Sequence, residues 1–409
     1  MNLEQSIRHI MADYGRPFYL YRQDLMERQA EILRSSFTEF DFLYSLKTNP
    51  FPPVIRLAAS KGFGADAASA AEVDLALAAG IGPEDIFYSA PGKTRAELER
   101  SIDKARIIAD SLNELELLNG LAEGRERPLP VGLRLNPDFA LGGGPGLSNK
   151  FGVDLEQVYE RRDWLAGLGN LRLAGLHVHL RSQVLDGPAL ADYYAGVFQM
   201  TLALKRELGW RPDYLNFGGG LGIVYSRHDR PLDIPALSGT CRKLWAEYKN
   251  EFQARLLIET GRFLVGEAGS YYTPVVDIKA SRGRKYLLVL NALNGFLRPS
   301  VAGLMAGCGL SPSASYSAEP LYTGPDAFEL SIVGKEDDSV REEVDVVGQL
   351  CTATDVLGQA VSLPAAEIGD IVRVTMAGSY AYSLSPHLFS SHQPPMQIFM
   401  DGRGNLISG

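Results

Sequence analysis

The chain has 409 residues, with 40 lysines and arginines against 49 aspartates and glutamates, which gives a formal net charge of −9. This acidic balance argues against a nucleic-acid or anionic-membrane surface, because it offers nothing to compensate phosphate charge. No apolar run reaches the ~18 residues of a membrane span, and the N-terminus is polar where a signal peptide needs an apolar core. The scattered Cys241, Cys308 and Cys351 exclude a disulfide framework and an all-cysteine zinc site. We therefore expect a cytoplasmic enzyme or binding protein without a metal.

Eight short β-type runs recur along the chain, and helical spacing follows each of them. They lie at 42–46, 64–69, 86–90, 105–110, 131–136, 173–180, 214–217 and 255–260. Alternating strands and helices over ~230 residues fit an α/β (β/α)8 TIM barrel, which typically takes ~250 residues, although strand counting alone leaves an open doubly wound sheet possible. The barrel is favoured because polar residues fall at strand C-terminal ends, where barrel enzymes assemble their sites. These residues are Lys47, Asp66, Asn136, His179, Gly218 and Glu259.

The sequence pattern changes after residue ~265, where β-type runs are no longer followed by long helical stretches. They lie at 271–280, 285–290, 344–350, 371–378 and 395–400, followed by a hairpin turn at 401–405. We predict a barrel over 25–265 and a β-sandwich or β-barrel-like domain built from 1–24 plus 266–409. The run 16–22 precedes the barrel and could instead add a strand to it.

Lys47 follows an apolar strand directly and precedes a proline-containing turn. We expect its amine to be partly desolvated, which favours the neutral nucleophile that forms a Schiff base with an aldehyde cofactor. The ordinary alternative is a surface lysine, since lysines at strand ends are common.

Two further segments suggest a phosphate site. The run 216–222 places three glycines at a strand end, where backbone N–H groups can approach phosphate closely, although it also fits a plain turn. The run 258–262 places Glu259 at the end of the eighth strand and Arg262 just after it, or forms only a local ion pair. Barrel phosphate sites commonly lie after strands seven and eight, which favours the functional interpretation.

His177 and His179 alternate along one predicted strand, so only one of them should face the barrel mouth. Cys351 and Tyr380 lie in the second domain, where an inert buried cysteine and a packing tyrosine are the ordinary interpretations.

Taken together, seven segments resemble the pyridoxal-phosphate decarboxylases of the alanine racemase-like fold, the diaminopimelate and ornithine decarboxylase group. They are YSLKTNP, GFGADAASAAE, GLHVHLRSQ, NFGGGLG, ETGR, GQLCTATDVL and AGSYAYSLS, in family order over nearly the whole chain. Each is weak alone, whereas their common order is specific. The resemblance implies pyridoxal 5'-phosphate as cofactor and a homodimer with shared active sites.

The resemblance also implies roles for individual residues. Lys47 would carry the cofactor, with Asp66 and Glu72 nearby. His179 would stack on the ring and Glu259 would pair with its nitrogen, which favours decarboxylation over racemisation because racemases have an arginine there. Phosphate contacts would come from Ser182, Gly219, Gly220, Gly261, Arg262 and Tyr380. Cys351 or His179 would return the proton, and Cys351 and Asp355 match a segment that reaches the neighbouring subunit's site.

Four departures from the family pattern bear on the substrate. Thr352 replaces an acidic residue that reads a distal ammonium, a loss of typically ~1.5–3 kcal/mol. Asn291–Ala292–Leu293 replace the family's Asp-Gly-Gly, although the following Arg298 is kept. The stretch 390–395, which contains His392, replaces the family's Asn-x-Arg-Pro tail. Arg181 stands where the family usually has glycine. We therefore expect Arg298, Thr352, Asp355, His392 and Arg181 to bind a small, carboxylate-rich amino-acid substrate.

These features predict decarboxylation of an amino acid or amino-acid conjugate. They are most similar to a branch that decarboxylates citrate-linked intermediates of carboxylate siderophores of the staphyloferrin and vibrioferrin type. The alternatives are diaminopimelate decarboxylase of lysine biosynthesis and a carrier-protein-linked amino-acid decarboxylase. A non-enzymatic binding protein similar to antizyme inhibitors is disfavoured, because such proteins usually lose the cofactor-contacting residues that this chain keeps.

Overall fold

The computed structural model describes residues 2–307, 321 and 326–408, so Cys308 lies outside the described residues. The chain forms two compact units. The first, here the barrel unit, comprises Gln29–Gly222 and Pro231–Gly261. The second, here the β unit, comprises Met1–Arg28, Ile223–Arg230 and Arg262–Gly409.

The barrel unit contains a closed ring of eight parallel strands, which confirms the predicted barrel. The strands are Phe40–Ser45, Gly64–Ala67, Ile86–Tyr88, Arg106–Ala109, Leu129–Asn136, Leu171–His177, Tyr214–Asn216 and Arg255–Thr260. The ring closes because the fourth strand pairs with the fifth and the eighth pairs with the first. A short strand, Val153–Asp154, pairs with Leu129–Asn136 outside the ring.

Helices alternate with the barrel strands in sequence, and one of them precedes the first strand. They are Gln23–Ser36, Pro52–Ser60, Ala70–Ala78, Arg95–Ser101, Leu112–Leu121, Leu155–Glu160, Arg162–Ala166, Gly187–Leu208 and Ile234–Tyr248, with 3-10 turns at Leu46–Thr48 and Pro83–Asp85. Side-chain caps fix several starts, and Ser69 and Ser111 each accept the backbone N–H three residues on. These caps make the helices Ala70–Ala78 and Leu112–Leu121 begin directly after the short turns that follow the second and fourth strands.

The described part of the β unit contains a nine-stranded, mostly antiparallel sheet. Its strands are Phe18–Arg22, Gly269–Ser281, Arg284–Val289, Leu330–Ile332, Arg341–Val347, Val356–Pro364, Ile371–Val374, Met396–Met400 and Leu406–Ser408. Its helices are Leu3–Tyr14, Arg262–Val265 and Leu297–Gly307, with 3-10 turns at Tyr382–Leu384 and Phe389–Ser391. Two strands, Leu330–Ile332 and Val356–Pro364, were not predicted, because the first is very short and the second lacks regular alternation.

Phe18–Arg22 belongs to the sheet of the β unit and not to the barrel. It pairs antiparallel with Gly269–Ser281 and parallel with Met396–Met400. The expectation that the run 16–22 adds a strand to the barrel is therefore wrong, because these two partners occupy both of its edges. Within the described residues, no helix combines the length and apolar character needed to cross a membrane.

Tyr214 fills the barrel interior above two glycines on neighbouring strands. A methyl group added to Gly175 would overlap the Tyr214 ring, and one added to Gly132 would overlap its hydroxyl group. Tyr214 also packs edge-on against Phe87, with ring centroids 5.0 Å apart. The Tyr214 ring therefore requires glycine at positions 132 and 175, because a side chain there would occupy the same space.

We predict that Gly175→Ala destabilises the protein by about 1–3 kcal/mol, because the added methyl group overpacks this core. Urea unfolding measured by circular dichroism gives the change. Gly169→Ala is the control, since a methyl group there meets no atom within 4 Å. Equal stability of the two variants would contradict the packing described here.

Candidate functional site

Lys47 lies in the 3-10 turn Leu46–Thr48, directly after the first barrel strand. Its Nζ lies 2.6 Å from the Asp66 carboxylate, and its side chain is 43% exposed. The side chain is thus partly buried, as expected, but its anionic partner favours the charged amine over the expected neutral one. By contrast, the Lys93 side chain is 0% exposed and is paired with Glu114. Of these two lysines, only Lys47 can be reached by a ligand entering from solvent.

Asp66 is buried at the end of the second strand, and its orientation is fixed from both sides. Ser45 Oγ donates to Oδ2 at 2.8 Å, and Ser89 Oγ donates to Oδ1 at 2.7 Å. The two serines follow or end neighbouring strands, so three strand ends converge on one carboxylate. Ser45 and Ser89 were not predicted as site residues, although both stand near the ends of predicted strands.

Glu72 is held beside Asp66 by the helix that follows the second strand. Its Oε2 accepts the Ala68 N–H at 2.7 Å. Burial raises the pKa of Glu72 to about 7, and Asp66 adds to this rise while Lys47 opposes it. This carboxyl group can therefore change its protonation state near neutral pH.

Glu259 is buried at the end of the eighth strand and is held by two side chains. Asn216 Nδ2 donates to Oε1 at 2.9 Å, and His177 Nε2 lies 3.2 Å from the same oxygen. Burial alone would raise the pKa of Glu259, but the hydrogen-bonding contact with His177 and the charge of Lys47 outweigh it, and the pKa is lowered well below its ordinary value. Burial lowers the pKa of His177, so we assign a carboxylate facing a neutral imidazole.

The two histidines both face functional residues, contrary to the expected alternation. The expectation is wrong because residues two apart along a strand point to the same face and not to opposite faces. In addition, the strand ends at His177, so His179 lies in the following irregular segment. Gly219 N–H donates to His179 Nδ1 at 3.1 Å, and Ser182 Oγ lies 3.3 Å from Nε2. His177 and Asn216 are thus functional candidates that sequence analysis did not assign.

The glycine turn 218–220 continues from Asn216, whose Oδ1 accepts the Gly218 N–H at 2.9 Å. Gly218 and Gly220 have φ of 65° and 148°, which favours glycine. A methyl group on Gly219 would lie 3.6 Å from the His179 ring. The turn thus presents bare backbone beside an imidazole, as close approach of a ligand requires.

These barrel residues fit a pyridine aldehyde phosphate by their chemistry. An accessible amine can bind the aldehyde, a carboxylate with a lowered pKa suits a protonated ring nitrogen, and an imidazole beside bare glycine backbone suits a flat ring. Across residues 2–307, 321 and 326–408, no set of His, Cys, Asp and Glu side chains is arranged to hold a metal ion.

In the β unit, two buried arginines lie against the same tyrosine. Arg262 and Arg298 each donate from NH1 to the Tyr225 hydroxyl group, at 2.9 and 3.2 Å. Arg298 also donates to the Ser379 carbonyl at 3.0 Å, and the Arg262 guanidinium lies 5.1 Å from the Tyr380 ring centroid. Three predicted residues, Arg262, Arg298 and Tyr380, are therefore brought together, with the unpredicted Tyr225 between the arginines.

Three of the four departures from the family pattern also lie together in the β unit. Asp355 accepts the Leu293 N–H on one oxygen and the Leu350 N–H on the other, both at 2.7 Å. Gln349 Nε2 lies 2.8 Å from His392 Nδ1, and Asn291 Nδ2 donates to the carbonyl of residue 393 at 2.8 Å. The segments 291–293, 349–355 and 392–393 thus form one cluster, here the departure cluster.

Of the remaining predicted residues, Cys351 and Thr352 lie on the loop of the departure cluster, whereas Arg181 and Gly261 lie in the barrel unit. Cys351 is exposed, and the Thr352 and Thr354 hydroxyl groups lie 2.9 Å apart in the same loop. Arg181 is half-buried in the barrel unit, outside the departure cluster. Gly261 ends the barrel unit and packs so tightly on Thr48 that a methyl group there would overlap its hydroxyl oxygen.

Comparisons with known proteins agree with this chemistry. The family model described as "Pyridoxal-dependent decarboxylase, pyridoxal binding domain" matches residues 23–266. The chain is 31% identical to the L-glutamyl-[BtrI acyl-carrier protein] decarboxylase of Niallia circulans, covering 97% of this chain and 92% of that protein. It is 28% identical to the diaminopimelate decarboxylase of Aquifex aeolicus, covering 93% and 86%.

Solved structures share the fold. The crystal structure of AQ1208 from Aquifex aeolicus superposes with a TM-score of 0.82 at 26% identity, covering 98% of this chain and 90% of that chain. The diaminopimelate decarboxylase from M. jannaschii, solved with L-lysine, superposes with a TM-score of 0.85 at 22% identity, covering 98% and 91%.

The raised pKa of Glu72 predicts a pH-dependent effect of Glu72→Gln. A pKa near 7 in the folded chain, against an ordinary value near 4.5, means that folding stability is lost as pH rises through this interval. The glutamine variant escapes that loss, so its melting temperature should rise relative to wild type between pH 4.5 and 7 and then level off. Scanning calorimetry across this range measures the difference. Glu116→Gln, on an exposed helix position, is the control and should show no such rise.

Proposed function

This chain belongs to the pyridoxal-dependent decarboxylase family, and from that premise we propose that it decarboxylates an amino-acid conjugate whose distal end carries carboxylates rather than a free ammonium group. It is a pyridoxal-phosphate-dependent enzyme that acts on amino acids. When bound, the cofactor accepts the electron pair that remains on the α-carbon as carbon dioxide departs.

In the barrel unit, Lys47 would hold the cofactor covalently, with Asp66 fixing the amine. Glu259 would keep a proton on the ring nitrogen, because its own pKa is too low to take that proton away. Asn216 and His177 would position Glu259, and His179 would lie against the ring. Ser182, Gly219, Gly220 and Gly261 are the proposed phosphate contacts of this unit.

In the β unit, we propose anion binding for Arg262 and Tyr380 and substrate-carboxylate binding for Arg298. Cys351, exposed on its loop, and His179 remain the two candidates that return a proton to the α-carbon. A homodimer would place the Cys351 loop of each subunit at the other subunit's site. We propose this assembly from the resemblance of the segment around Cys351 to the family.

The proposal that the substrate has no free distal ammonium group rests on the position of Asp355, whose carboxylate binds backbone N–H groups of its own subunit. Asp355 is the only acidic residue of the loop 348–355, and both of its oxygens accept backbone N–H groups. Because Asp355 is only 3% exposed and Thr352 beside Cys351 is neutral, this loop presents no exposed carboxylate to a substrate ammonium group. We therefore revise the proposed role of Asp355 from substrate contact to positioning the loop. Lysine, ornithine and diaminopimelate become poorer substrates, at a cost of roughly 1.5–3 kcal/mol.

Two substrate classes remain. The first is an amino acid joined to citrate, as in carboxylate siderophore biosynthesis, for which Arg298, Arg181 and His392 supply groups suited to carboxylates. The second is a carrier-protein-linked glutamate, favoured by the 31% identity to the Niallia circulans decarboxylase named for such a substrate. Both lack a free distal ammonium group, and diaminopimelate is the third alternative.

A parallel assay of carbon dioxide release tests these alternatives. We expect citrate–diaminopropionate or citrate–serine conjugates, or carrier-linked glutamate, to react at least tenfold faster in kcat/KM than diaminopimelate, lysine or ornithine. Thr352→Asp is the matched variant, because it restores an acid and should improve kcat/KM for lysine by about tenfold or more. Fastest release from diaminopimelate by the wild-type enzyme would overturn the substrate proposal.

Glu259→Gln tests the proposed electron-sink role separately from the substrate. Glutamine keeps the shape and can still contact Asn216, but it cannot hold a charge opposite a protonated ring nitrogen. We expect kcat to fall by about 10²-fold or more, measured by carbon dioxide release, while the visible absorbance of bound cofactor persists. A variant within threefold of wild type would exclude this role for Glu259.

A further inference from the structure

Tyr225 joins the two buried arginines of the β unit. Its hydroxyl oxygen accepts one N–H from Arg262 and one from Arg298, and it lies 3.2 Å from Ser379 Oγ. Both guanidinium groups also lie against its ring, at 5.4 and 4.9 Å from the centroid. Tyr225, Arg262 and Arg298 are 5%, 6% and 0% exposed, so water cannot replace these contacts easily.

We propose that Tyr225 is a positioning residue that holds Arg262 and Arg298 as one anion-recognising pair. The arginines' ligands, cofactor phosphate and substrate carboxylate, rest on the proposed function, whereas their coupling through one phenol oxygen rests on the contacts above. Both guanidinium groups donate an N–H to the same oxygen atom. A rotation of one arginine therefore changes the hydrogen bond that the other arginine makes to Tyr225. Cofactor affinity and substrate binding therefore both depend on Tyr225.

The charge of Tyr225 is part of this arrangement. The groups that face it are the cations of Arg262 and Arg298, the Ser379 hydroxyl group and the Phe328 ring, with Tyr380 on the far side of Arg262. Burial would raise the pKa of Tyr225, but the two arginines outweigh it and lower the pKa to about 8. Below this pH the phenol is neutral, so both arginine cations are available to bind an anionic ligand. Above it, the phenolate competes with that anion.

Nuclear magnetic resonance of the full-length holoenzyme, with carbon-13 at tyrosine Cζ, tests the titration directly. The resonance that is missing from Tyr225→Phe identifies Tyr225. It should titrate with a midpoint below the ordinary tyrosine value of about 10, and nearest to 8 once the cofactor is removed, because the bound anion and the phenolate compete for the same two cations. A midpoint at or above that ordinary value would overturn the proposed charge coupling, whether or not the enzyme decarboxylates any tested substrate.

Cofactor dissociation tests the coupling to ligand binding. Tyr225→Phe keeps the ring and removes only the shared acceptor, so the dissociation constant for pyridoxal phosphate, followed by visible absorbance, should rise about tenfold at pH 7. The ratio of variant to wild-type constants should shrink at pH 9, where the wild-type phenolate opposes the anion. A ratio within twofold of one, or one that does not change with pH, would contradict the proposal.

Tyr214→Phe is the matched control. Tyr214 is similarly buried, lies in the barrel core, and has a pKa raised well above its ordinary value by burial, so removing its hydroxyl group should leave both readouts unchanged. Thermal unfolding of both variants identifies a general loss of folding. If Tyr225→Phe does not fold, the wild-type protein alone tests the charge coupling. A tyrosine resonance that titrates well below the ordinary value supports it, and the absence of such a resonance overturns it.

Discussion

The charge of the Glu259 carboxylate is the constraint on which the site of the barrel unit depends. Burying a carboxylate normally drives it to take up a proton, and an isolated one in the barrel interior would be neutral. Here Asn216 donates to it, His177 lies against it, and the charge of Lys47 favours its ionised form. Only a carboxylate that stays ionised can stabilise a protonated ring nitrogen, so these neighbours are as necessary as Glu259 itself.

The same hydrogen bonds link the carboxylate to the glycine turn. Asn216 donates to Glu259 and accepts the N–H of Gly218, and the next glycine donates to His179. One asparagine at the end of the seventh strand thus fixes the distance between a carboxylate and a bare backbone segment. A flat ring with a nitrogen at one end and a phosphate at the other requires such a fixed spacing. In the β unit, Tyr225 accepts a hydrogen bond from each of two cations, Arg262 and Arg298, and so holds them together against their mutual repulsion.

The sequence predicted the architecture well because each barrel strand is a local apolar run and each polar site residue follows one directly. Lys47, Asp66 and Glu259 could be chosen on that ground. Their supporting partners could not, since Asn216 and Glu259 are 43 residues apart and Ser89 and Asp66 are 23 apart. Nothing local marks Tyr225 as the acceptor shared by Arg262 and Arg298. The error about His177 and His179 arose because residues two apart in a strand point to the same face and not to opposite faces. Periodicity finds strands, whereas register and strand ends decide which side chains meet.

The most direct test of the central claim is to locate the cofactor on the chain. Borohydride reduction of the purified protein fixes the cofactor to the amine that carries it, and peptide mass spectrometry then identifies that residue. We expect the modification on the peptide containing Lys47, with Lys93 unmodified because its side chain is buried and paired. Modification of another lysine, or of none in protein supplied with pyridoxal phosphate, would contradict the proposed site.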